Sequence, residues 1–272
     1  MNDSPSSERP LVIVKLGGSV ITRKREVERP RPKVLARLAA EIAEVESRRI
    51  VVLHGAGSFG HPGAKQFGLA RAPLPSETPG HRARGAAIVA TEVRRLHLLV
   101  LRALVRAGVS PASIPIATHA RNREGSLVAF DPAPFAEALK RGLSPVSFGD
   151  VVPDEQWGAS ILSADTIAAE LVGPLRPQRV VFVSDVPGIL EGPVRGRRTV
   201  VRDLTDATVH ALRPASGATD VTGGIRSKAE AMLAIARAGV DAGLISGLTD
   251  GGLSRALRGE MVYGSWARGR SG

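Results

Sequence analysis

The stretch IVVLHGAGSFGH at residues 50–61 constrains the fold of this chain more than any other feature. Its β-branched start predicts a buried strand, and its glycines predict a loop directly after that strand. Glycines let the main chain approach a ligand closely and turn several N–H groups toward one point, which suits an anionic oxygen. Because Pro62 favours the first turn of a helix, a helix dipole would add to this site. The stretch therefore predicts a strand, an anion-binding loop and a helix.

The same loop, GAGSFG, also matches the G-x-G-x-x-G fingerprint of dinucleotide-binding folds. That fingerprint requires an acidic residue about 20 positions further on, at the end of a second strand. At that distance the chain has the proline-rich segment APLPSETPG, in which Glu77 is poorly placed to bind a ribose. The spacing therefore favours a phosphate loop over a dinucleotide site.

The composition is that of a globular α/β protein. The chain has 272 residues, of which 43% are hydrophobic, enough for one large unit or two lobes. It has no cysteine, which excludes disulfides and thiolate-bound metals. The N-terminal residues are polar and lack the apolar core of a signal peptide, and no run approaches the roughly 18 apolar residues of a membrane span. We expect a cytoplasmic protein with no membrane segment and a disordered tail at residues 1–10.

A formal net charge of +11 raises the question of nucleic-acid binding. The basic residues are mostly arginines scattered along the chain, aromatic residues make up only 3%, and no nucleic-acid-binding motif is present. The one dense basic segment, residues 195–198, is interpreted as a solvated turn. The charge therefore favours an anionic small-molecule substrate and no nucleic-acid partner.

The order of the predicted elements indicates an α/β fold. Residues 11–16 (LVIVKL) predict a buried strand, residues 32–48 have apolar positions at helical spacing, and the strand at residue 50 follows. This order is that of a βαβ crossover, in which the two strands are parallel. Strand and helix patterns continue to alternate as far as residue 263, with a long helix predicted over residues 82–107.

Lysines lie beside two pairs of glycines. Lys15 lies within an apolar strand just before Gly17–Gly18, where a buried ammonium needs an anion unless it emerges at a sheet edge. Lys228 follows Gly223–Gly224 by about one turn of predicted helix, which forms a second anion-binding arrangement. Two such sites suggest a donor phosphate and an acceptor phosphate. Phosphoryl transfer needs positive charge around the migrating group, which these two lysines and Lys24 would supply.

Other candidate residues follow predicted strands or begin predicted helices. Gly149 follows a strand in SPVSFGDVVP, and Asp165 opens a helix in ILSADTIAAELV. Taken alone, Asp165 is better explained as a helix cap than as a ligand contact. His61, at a helix start, can donate a hydrogen bond to a phosphate oxygen. His54 is interpreted as structural, and His97 carries no functional signal.

Taken together, six motifs resemble the amino acid kinase superfamily and, within it, the isopentenyl phosphate kinases. They are KLGGSVITRK, HGAGSFGHPGAK, FGDVV, LSADTIA, SDVPGIL and DVTGGIRSK. The resemblance implies a three-layer αβα sandwich with a mainly parallel central sheet, an acceptor-binding lobe at residues 11–178 and an ATP-binding lobe at residues 179–272. It also implies a homodimer that phosphorylates isopentenyl phosphate with ATP, in the alternative mevalonate route of isoprenoid biosynthesis. Mg²⁺ would arrive with ATP and need no metal site on the protein.

The resemblance also implies roles for individual residues. The residues expected to bind ATP are Lys15, Gly17, Gly18, Ser19, Ala56, Asp185, Gly224 and Lys228. Those expected to bind the acceptor are Gly55, Gly60, His61 and Gly149. Catalysis is expected to involve Lys15, Lys24, His61 and Asp165, with Lys24 on the migrating phosphoryl group and Asp165 orienting the lysines. The chain departs from the family pattern at Ala56, Thr166 and Pro187, which bears on nucleotide and substrate preference.

Two alternatives keep the fold and change the function. One is a kinase for another small phosphate or phosphonate, such as fosfomycin. The other is a non-catalytic nucleotide-binding regulator, which the basic charge and the altered turns would suit. The regulator would bind ATP without phosphoryl transfer and would bind nucleic acid in a salt-sensitive way.

Overall fold

A computed structural model describes residues 9–23, 26–191, 198–212 and 224–269. Its strands are β1 (Leu11–Leu16), β2 (Arg49–His54), β3 (Pro111–Ser113), β4 (Ala120–Arg123), β5 (Ser126–Phe130), β6 (Ser144–Phe148), β7 (Asp150–Asp154), β8 (Gly158–Leu162), β9 (Arg179–Ser184), β10 (Leu190–Glu191), β11 (Thr199–Val200), β12 (Asp241–Ser246) and β13 (Gly264–Ala267). Its α-helices are α1 (Gly18–Ile21), α2 (Pro32–Ala43), α3 (His61–Gln66), α4 (Pro79–Arg106), α5 (Ala133–Lys140), α6 (Ala164–Glu170), α7 (Val172–Leu175), α8 (Asp206–Ala211), α9 (Gly224–Arg237) and α10 (Gly252–Arg258). Short 3-10 helices span Gly57–Phe59 and Ile116–Thr118.

In the described part of the chain, seven strands form one central sheet in the order β13-β12-β9-β1-β2-β6-β3. Neighbouring strands are parallel except β12 and β13, which pair antiparallel. The register of β1 on β2 puts Lys15 opposite Leu53 and Leu16 opposite His54. Because β9, β1, β2 and β6 run in the same direction, the loops that follow them emerge at one edge of the sheet. We call this edge the carboxyl edge.

Helices cover both faces of the central sheet. On β1, Leu11 and Ile13 pack in the cluster that includes residues of α6 and α9, whereas Val12 and Val14 pack in the cluster that includes residues of α2, α4 and α10. Successive side chains of a strand point to opposite faces, so a strand covered on both faces is apolar throughout. Every residue of β1 is accordingly buried. The predicted three-layer α/β fold with a mainly parallel sheet is confirmed.

The local sequence explains where the main helices begin. Proline occupies the first position of α2 and of α4, where its missing N–H is not needed. The Thr78 side chain accepts a hydrogen bond from the His81 N–H and so caps α4. Helix α4 buries a stripe at helical spacing that includes Val89, Val93, Leu96, Val100 and Leu104. No helix in the described ranges is long and apolar enough to cross a membrane.

A smaller sheet, in the order β5-β4-β7-β8, is formed by two strands that precede β6 in the sequence and two that follow it. Arg82 of α4 holds this sheet in place, because its Nε donates to the Ala159 oxygen of β8 at 2.9 Å. The Arg82 guanidinium also lies over the ring of Trp157, 5.8 Å from the ring centroid. The smaller sheet is therefore fixed against α4.

Two predicted boundaries are corrected. The sequence pattern ended at residue 263, but β13 follows that residue, and Trp266 of this strand is buried and donates its Nε1–H to the Val262 oxygen at 3.1 Å. The predicted tail included Pro10, whose oxygen accepts a hydrogen bond from the Arg49 N–H at 3.0 Å, so Pro10 belongs to the folded part of the chain. Residues 1–8 lie outside the described ranges.

Candidate active site

Two glycine loops meet at the carboxyl edge. Gly17 and Gly18 follow β1, and Gly55, Ala56 and Gly57 follow β2. A Cβ atom on Gly18 would lie 2.3 Å from the Gly57 nitrogen, and one on Gly55 would lie 2.9 Å from the Gly18 nitrogen. The two main chains are thus packed directly against each other. Gly57 also has a φ of +51°, which glycine adopts without strain.

Two of the glycine N–H groups predicted to face an anion are used inside the fold. The Gly17 N–H donates to the Val183 oxygen at 2.7 Å, and the Gly55 N–H donates to the Leu16 oxygen at 3.0 Å. These bonds tie the loops to the ends of β9 and β1. These two N–H groups are therefore not available to a ligand in this structure, and the binding roles predicted for Gly17 and Gly55 stay predictions.

Neighbouring positions provide the N–H groups that are left for a ligand. Gly18 and Ser19 lie in the first turn of α1, where N–H groups have no acceptor within the helix. Among the residues that the structure describes, no backbone acceptor is paired with the N–H of Ala56 or of Gly57. These four groups are the candidates for binding an anion at this edge.

Lys15, Asp165 and Lys228 form a compact ionic cluster. Lys15 lies on the face of β1 that it shares with Leu11 and Ile13, and this face packs against α6 and α9, which carry the other two residues. The Lys15 Nζ lies 2.7 Å from Asp165 Oδ1, and the Lys228 Nζ lies 2.6 Å from Asp165 Oδ2. One carboxylate therefore holds two ammonium groups side by side.

These contacts correct the capping interpretation of Asp165 and decide against the sheet-edge alternative for Lys15. The cap of α6 is Ser163, whose side chain accepts from the Thr166 N–H at 3.0 Å, and Asp165 instead binds the lysines. Lys15 does not emerge at a sheet edge, because β1 lies between β9 and β2. Its buried ammonium therefore needs the Asp165 carboxylate.

Burial and charge shift the pKa values within the cluster. Burial, opposed by the negative charge of Asp165, lowers the pKa of Lys15 from 10.5 to about 8. Burial raises the pKa of Asp165, but the two nearby ammonium groups outweigh it and hold that pKa well below its ordinary value. At neutral pH the cluster therefore carries a net positive charge, which suits a phosphate chain.

Asp185 connects the loop after β9 to helix α1. The Ser19 Oγ donates to Asp185 Oδ1 at 2.6 Å, and the Ser184 Oγ lies 3.3 Å from the same oxygen. Ser19 comes from the N-terminal half of the chain and Asp185 from the C-terminal half. Two of the residues predicted to bind ATP are thus in direct contact.

The Ala56 side chain is part of the core. A Cβ atom on Gly60 would lie 2.5 Å from the Ala56 Cβ and 2.8 Å from Val93 Cγ2 of α4. Ala56 also packs against the cluster that contains Val93 and Phe148. The departure from the family pattern at this position therefore adds a methyl group to the core beside α4.

His61 and Gly149 lie at the ends of neighbouring elements. His61 is the first residue of α3, and Gly149 follows β6, which pairs with β2. The Gly149 N–H donates to the His54 oxygen at 3.0 Å, and a Cβ atom on Gly149 would lie 3.1 Å from the Ala164 nitrogen. Gly149 therefore contributes close packing of the chain next to the β2 loop.

Several predicted features lie outside the described residues. They are Lys24, Gly223, most of the DVTGG motif and residues 195–197 of the basic turn. Gly224 begins α9, as predicted for a helix after this motif. Within the described ranges, no group of three or more His, Asp or Glu side chains could hold a metal ion.

Sequence reasoning gave no role to His97, yet this residue contacts His54. The His54 Nε2 and His97 Nδ1 atoms lie 3.0 Å apart, and the His97 Nε2 lies 2.8 Å from the Ser113 Oγ. On its other side, the His54 Nδ1 lies 3.1 Å from the Gly55 oxygen. The available signal was the position of His97 within the apolar stripe of α4, between Val93 and Val100.

Comparison with known proteins adds to this geometry. The family model described as "Amino acid kinase family" matches residues 10–246. A protein of Haloferax volcanii called isopentenyl phosphate kinase is 39% identical over 229 residues, which cover 83% of this chain and 88% of the relative. The protein of that name from Methanothermobacter thermautotrophicus is 32% identical over 273 residues, which cover 96% of this chain and all of the relative.

Solved structures agree with the sequence relatives. A chain from "X-ray structures of isopentenyl phosphate kinase" superposes with a TM-score of 0.83 at 30% identity, covering 94% of this chain and 99% of that one. A product complex of the Thermoplasma acidophilum isopentenyl phosphate kinase superposes with a TM-score of 0.76 at 29% identity, covering 95% of this chain and all of the other.

Proposed function

The chain belongs to the amino acid kinase family, and from this premise we propose that it transfers the γ-phosphoryl group of ATP to isopentenyl phosphate. The products are isopentenyl diphosphate and ADP, and the diphosphate would enter isoprenoid biosynthesis. The observation that carries the proposal is that relatives named for this activity match nearly the whole chain. The ionic cluster beside the two glycine loops supplies the positive charge that such a transfer needs.

We assign the donor side of the site to the residues around β1 and β9. Lys15 and Lys228 would bind the ATP phosphates as a pair oriented by Asp165, and the first turn of α1 would bind them through its N–H groups. Ser19 and Asp185 would fix that turn, since they are hydrogen bonded to each other. Lys24 would act on the migrating group, and Gly224 would border the nucleotide at the start of α9.

The acceptor side lies along the loop from Gly55 to Gly60 and the start of α3. His61 would donate a hydrogen bond to the acceptor phosphate and, when protonated, offset part of its charge. Gly60 and Gly149 would border the acceptor through their main chain, since the side where a Cβ would lie is closely packed at both residues. We also propose an acceptor lobe (residues 11–178) and an ATP lobe (residues 179–272), with Lys15 and the first turn of α1 reaching the ATP phosphates from the acceptor lobe.

Mg²⁺ fits the site as part of the nucleotide. The ion would arrive with the nucleotide, held by the ATP phosphates and water. Bound Mg²⁺ would neutralise charge that develops on the migrating phosphoryl group. We further propose that the protein is a homodimer and acts in the cytoplasm. Light scattering on the purified protein would test the dimer.

A coupled ADP-release assay with an acceptor panel tests the reaction. The panel contains isopentenyl phosphate, dimethylallyl phosphate, fosfomycin, acetylglutamate and UMP, each with ATP and Mg²⁺. We expect preferential turnover of the prenyl monophosphates. Turnover of another acceptor alone would reassign the acceptor pocket, and ATP binding without any turnover would favour the regulator.

His61→Gln tests the acceptor site within that assay. The amide retains polarity but cannot become positively charged, so we expect kcat/KM for isopentenyl phosphate to fall by at least about tenfold. His210→Gln is the matched control, because His210 is exposed on α8. Equal activity of the two variants would remove His61 from the mechanism.

A further inference from the structure

A hydrogen-bonded histidine chain, which runs from the exposed Ser113 through the buried His97 and His54, ends at the first residue of the glycine loop. We propose that it is a positioning device, which holds the Gly55 carbonyl toward the core and thereby directs the Ala56 N–H toward the migrating phosphoryl group. His54 and His97 are thus positioning residues for a reaction in which neither touches the substrate. The identity of the bound phosphate rests on the proposed function, whereas the arrangement of the histidine chain does not.

One fixed acceptor sets the direction of all three hydrogen bonds. A carbonyl oxygen can only accept, so the His54 Nδ1, 3.1 Å from the Gly55 oxygen, carries the proton. The neutral His54 ring then accepts at Nε2 from the His97 Nδ1–H at 3.0 Å. The His97 Nε2 accepts in turn from the Ser113 O–H at 2.8 Å. Both imidazoles are therefore Nδ1–H tautomers.

The surroundings keep both rings neutral and fixed. His54 is fully buried and His97 nearly so. Burial and the nearby His97 lower the pKa of His54 to about 3, and burial and the Arg94 charge lower the pKa of His97 to about 4. The Phe148 ring packs on both imidazoles, with centroids 5.4 Å from His54 and 4.4 Å from His97. The hydrogen bonds of the histidine chain therefore persist throughout the physiological pH range.

The histidine chain fixes the orientation of the peptide group between Gly55 and Ala56. The Gly55 N–H donates to the Leu16 oxygen, and the Gly55 carbonyl accepts from His54, so both polar groups of Gly55 are held. In a planar trans peptide, the carbonyl and the following N–H point in opposite directions. The Ala56 N–H therefore points away from the buried His54.

This orientation suits the reaction. The Ala56 N–H is one of the four candidate donors, and its loop lies between Gly18 on the donor side and His61 on the acceptor side. A donor fixed before the substrate arrives requires no reorganisation during transfer. Loss of the histidine chain should therefore lower kcat more than it weakens ATP binding.

Variants at the two histidines test the proposal. His54→Leu removes the donor to Gly55, and we expect kcat to fall about tenfold while the Kd for ATP changes less than about twofold. His54→Asn places an amide N–H near the original Nδ1 and should restore kcat to within about threefold of the wild type. His97→Leu should have an intermediate effect. Val100→Ala is the control, since it opens a cavity in the same helix without touching the chain.

Nitrogen-15 NMR of labelled imidazoles at pH 7 provides a test without catalysis. The proposal requires Nδ1–H tautomers at both His54 and His97, although free histidine favours the other tautomer. An Nε2–H tautomer or a protonated ring at His54 would overturn it, as would an unchanged kcat in a folded His54→Leu variant. If the wild type does not turn over isopentenyl phosphate, the proposed function fails, but the tautomers still decide this inference.

Discussion

Asp165→Asn should move the alkaline limb of the pH–rate profile to lower pH. The change keeps the shape of the side chain but removes the negative charge between two ammonium groups. Those groups lie 2.7 Å and 2.6 Å from the carboxylate oxygens. Without the carboxylate, the buried Lys15 loses the attraction that favours its charged form, so its pKa falls.

The structure sets the size of this effect. With a pKa of about 8, Lys15 is about 90% protonated at pH 7 in the wild type. Loss of a neighbouring opposite charge shifts a pKa by about 1 to 3 units. Lys15 would then be between roughly 50% and 1% protonated at pH 7. If only the ammonium form supports transfer, kcat/KM for ATP falls by roughly two- to a hundredfold from this cause alone.

The assay is the pH dependence of kcat/KM for ATP from pH 5.5 to 9.5, because this ratio reports ionisations of the free enzyme. The wild-type rate should fall as the pH rises through about 8, where Lys15 loses its proton. In Asp165→Asn the same fall should occur at lower pH. Glu230→Gln is the control, since it removes one exposed negative charge from α9 without touching the cluster.

A contribution of the Asp165 charge would be refuted if Asp165→Asn kept the alkaline limb of the wild-type pH–rate profile and a kcat/KM within twofold of the wild type. That result would mean that neither the protonation of Lys15 nor its orientation by Asp165 contributes to the reaction. A uniform loss of activity at all pH values, with the limb unmoved, would retain an orienting role and reject the pKa argument.

Three further predictions concern stability. Arg82→Met should lower the free energy of unfolding in urea by about 3 kcal/mol, because the buried guanidinium donates to several backbone oxygens. Arg84→Met is the control and should be nearly neutral, because the Arg84 side chain is exposed. Gly57→Ala should cost about 2 kcal/mol, because its φ is +51° and the new Cβ would meet a side-chain oxygen at 2.3 Å, while Gly80→Ala, with open space around it, should not destabilise. Burial raises the pKa of Asp150 from 3.8 to about 6, so the wild type loses stability as the pH rises from about 4 to 6. In thermal unfolding, Asp150→Asn should therefore gain stability relative to the wild type between pH 4 and pH 7, by about 2–3 kcal/mol.

Inner elements of the fold such as β1 and α2 were predictable because their signals are local, whereas β13 was missed. The strand at β1 is a continuous apolar run, and the helix at α2 repeats its apolar positions at the helical period. The position of Lys15 within β1 even determines its face, since side chains alternate along a strand. The sequence could therefore predict a charged group on one face of the sheet.

The partners of these groups depend on long-range packing, which a sequence pattern does not contain. From the residues alone, capping is the simplest explanation of Asp165 in the first turn of a helix. Its lysine contacts were expected only from the family resemblance, because they depend on the approach of β1 and α9. The N–H of Gly55 was expected to face a ligand, but the neighbouring strand takes it. His97 was overlooked because its partner, His54, lies 43 positions away.

Phosphorus-31 NMR of the purified protein with ATP, Mg²⁺ and isopentenyl phosphate would follow the proposed phosphoryl transfer itself. Transfer of the γ-phosphoryl group forms a new P–O–P linkage on the acceptor and breaks one in ATP. We expect the isopentenyl phosphate resonance to be replaced by the two coupled resonances of a diphosphate, at the same rate as ADP appears. Release of inorganic phosphate with an unchanged acceptor resonance, or no change in either substrate, would contradict it.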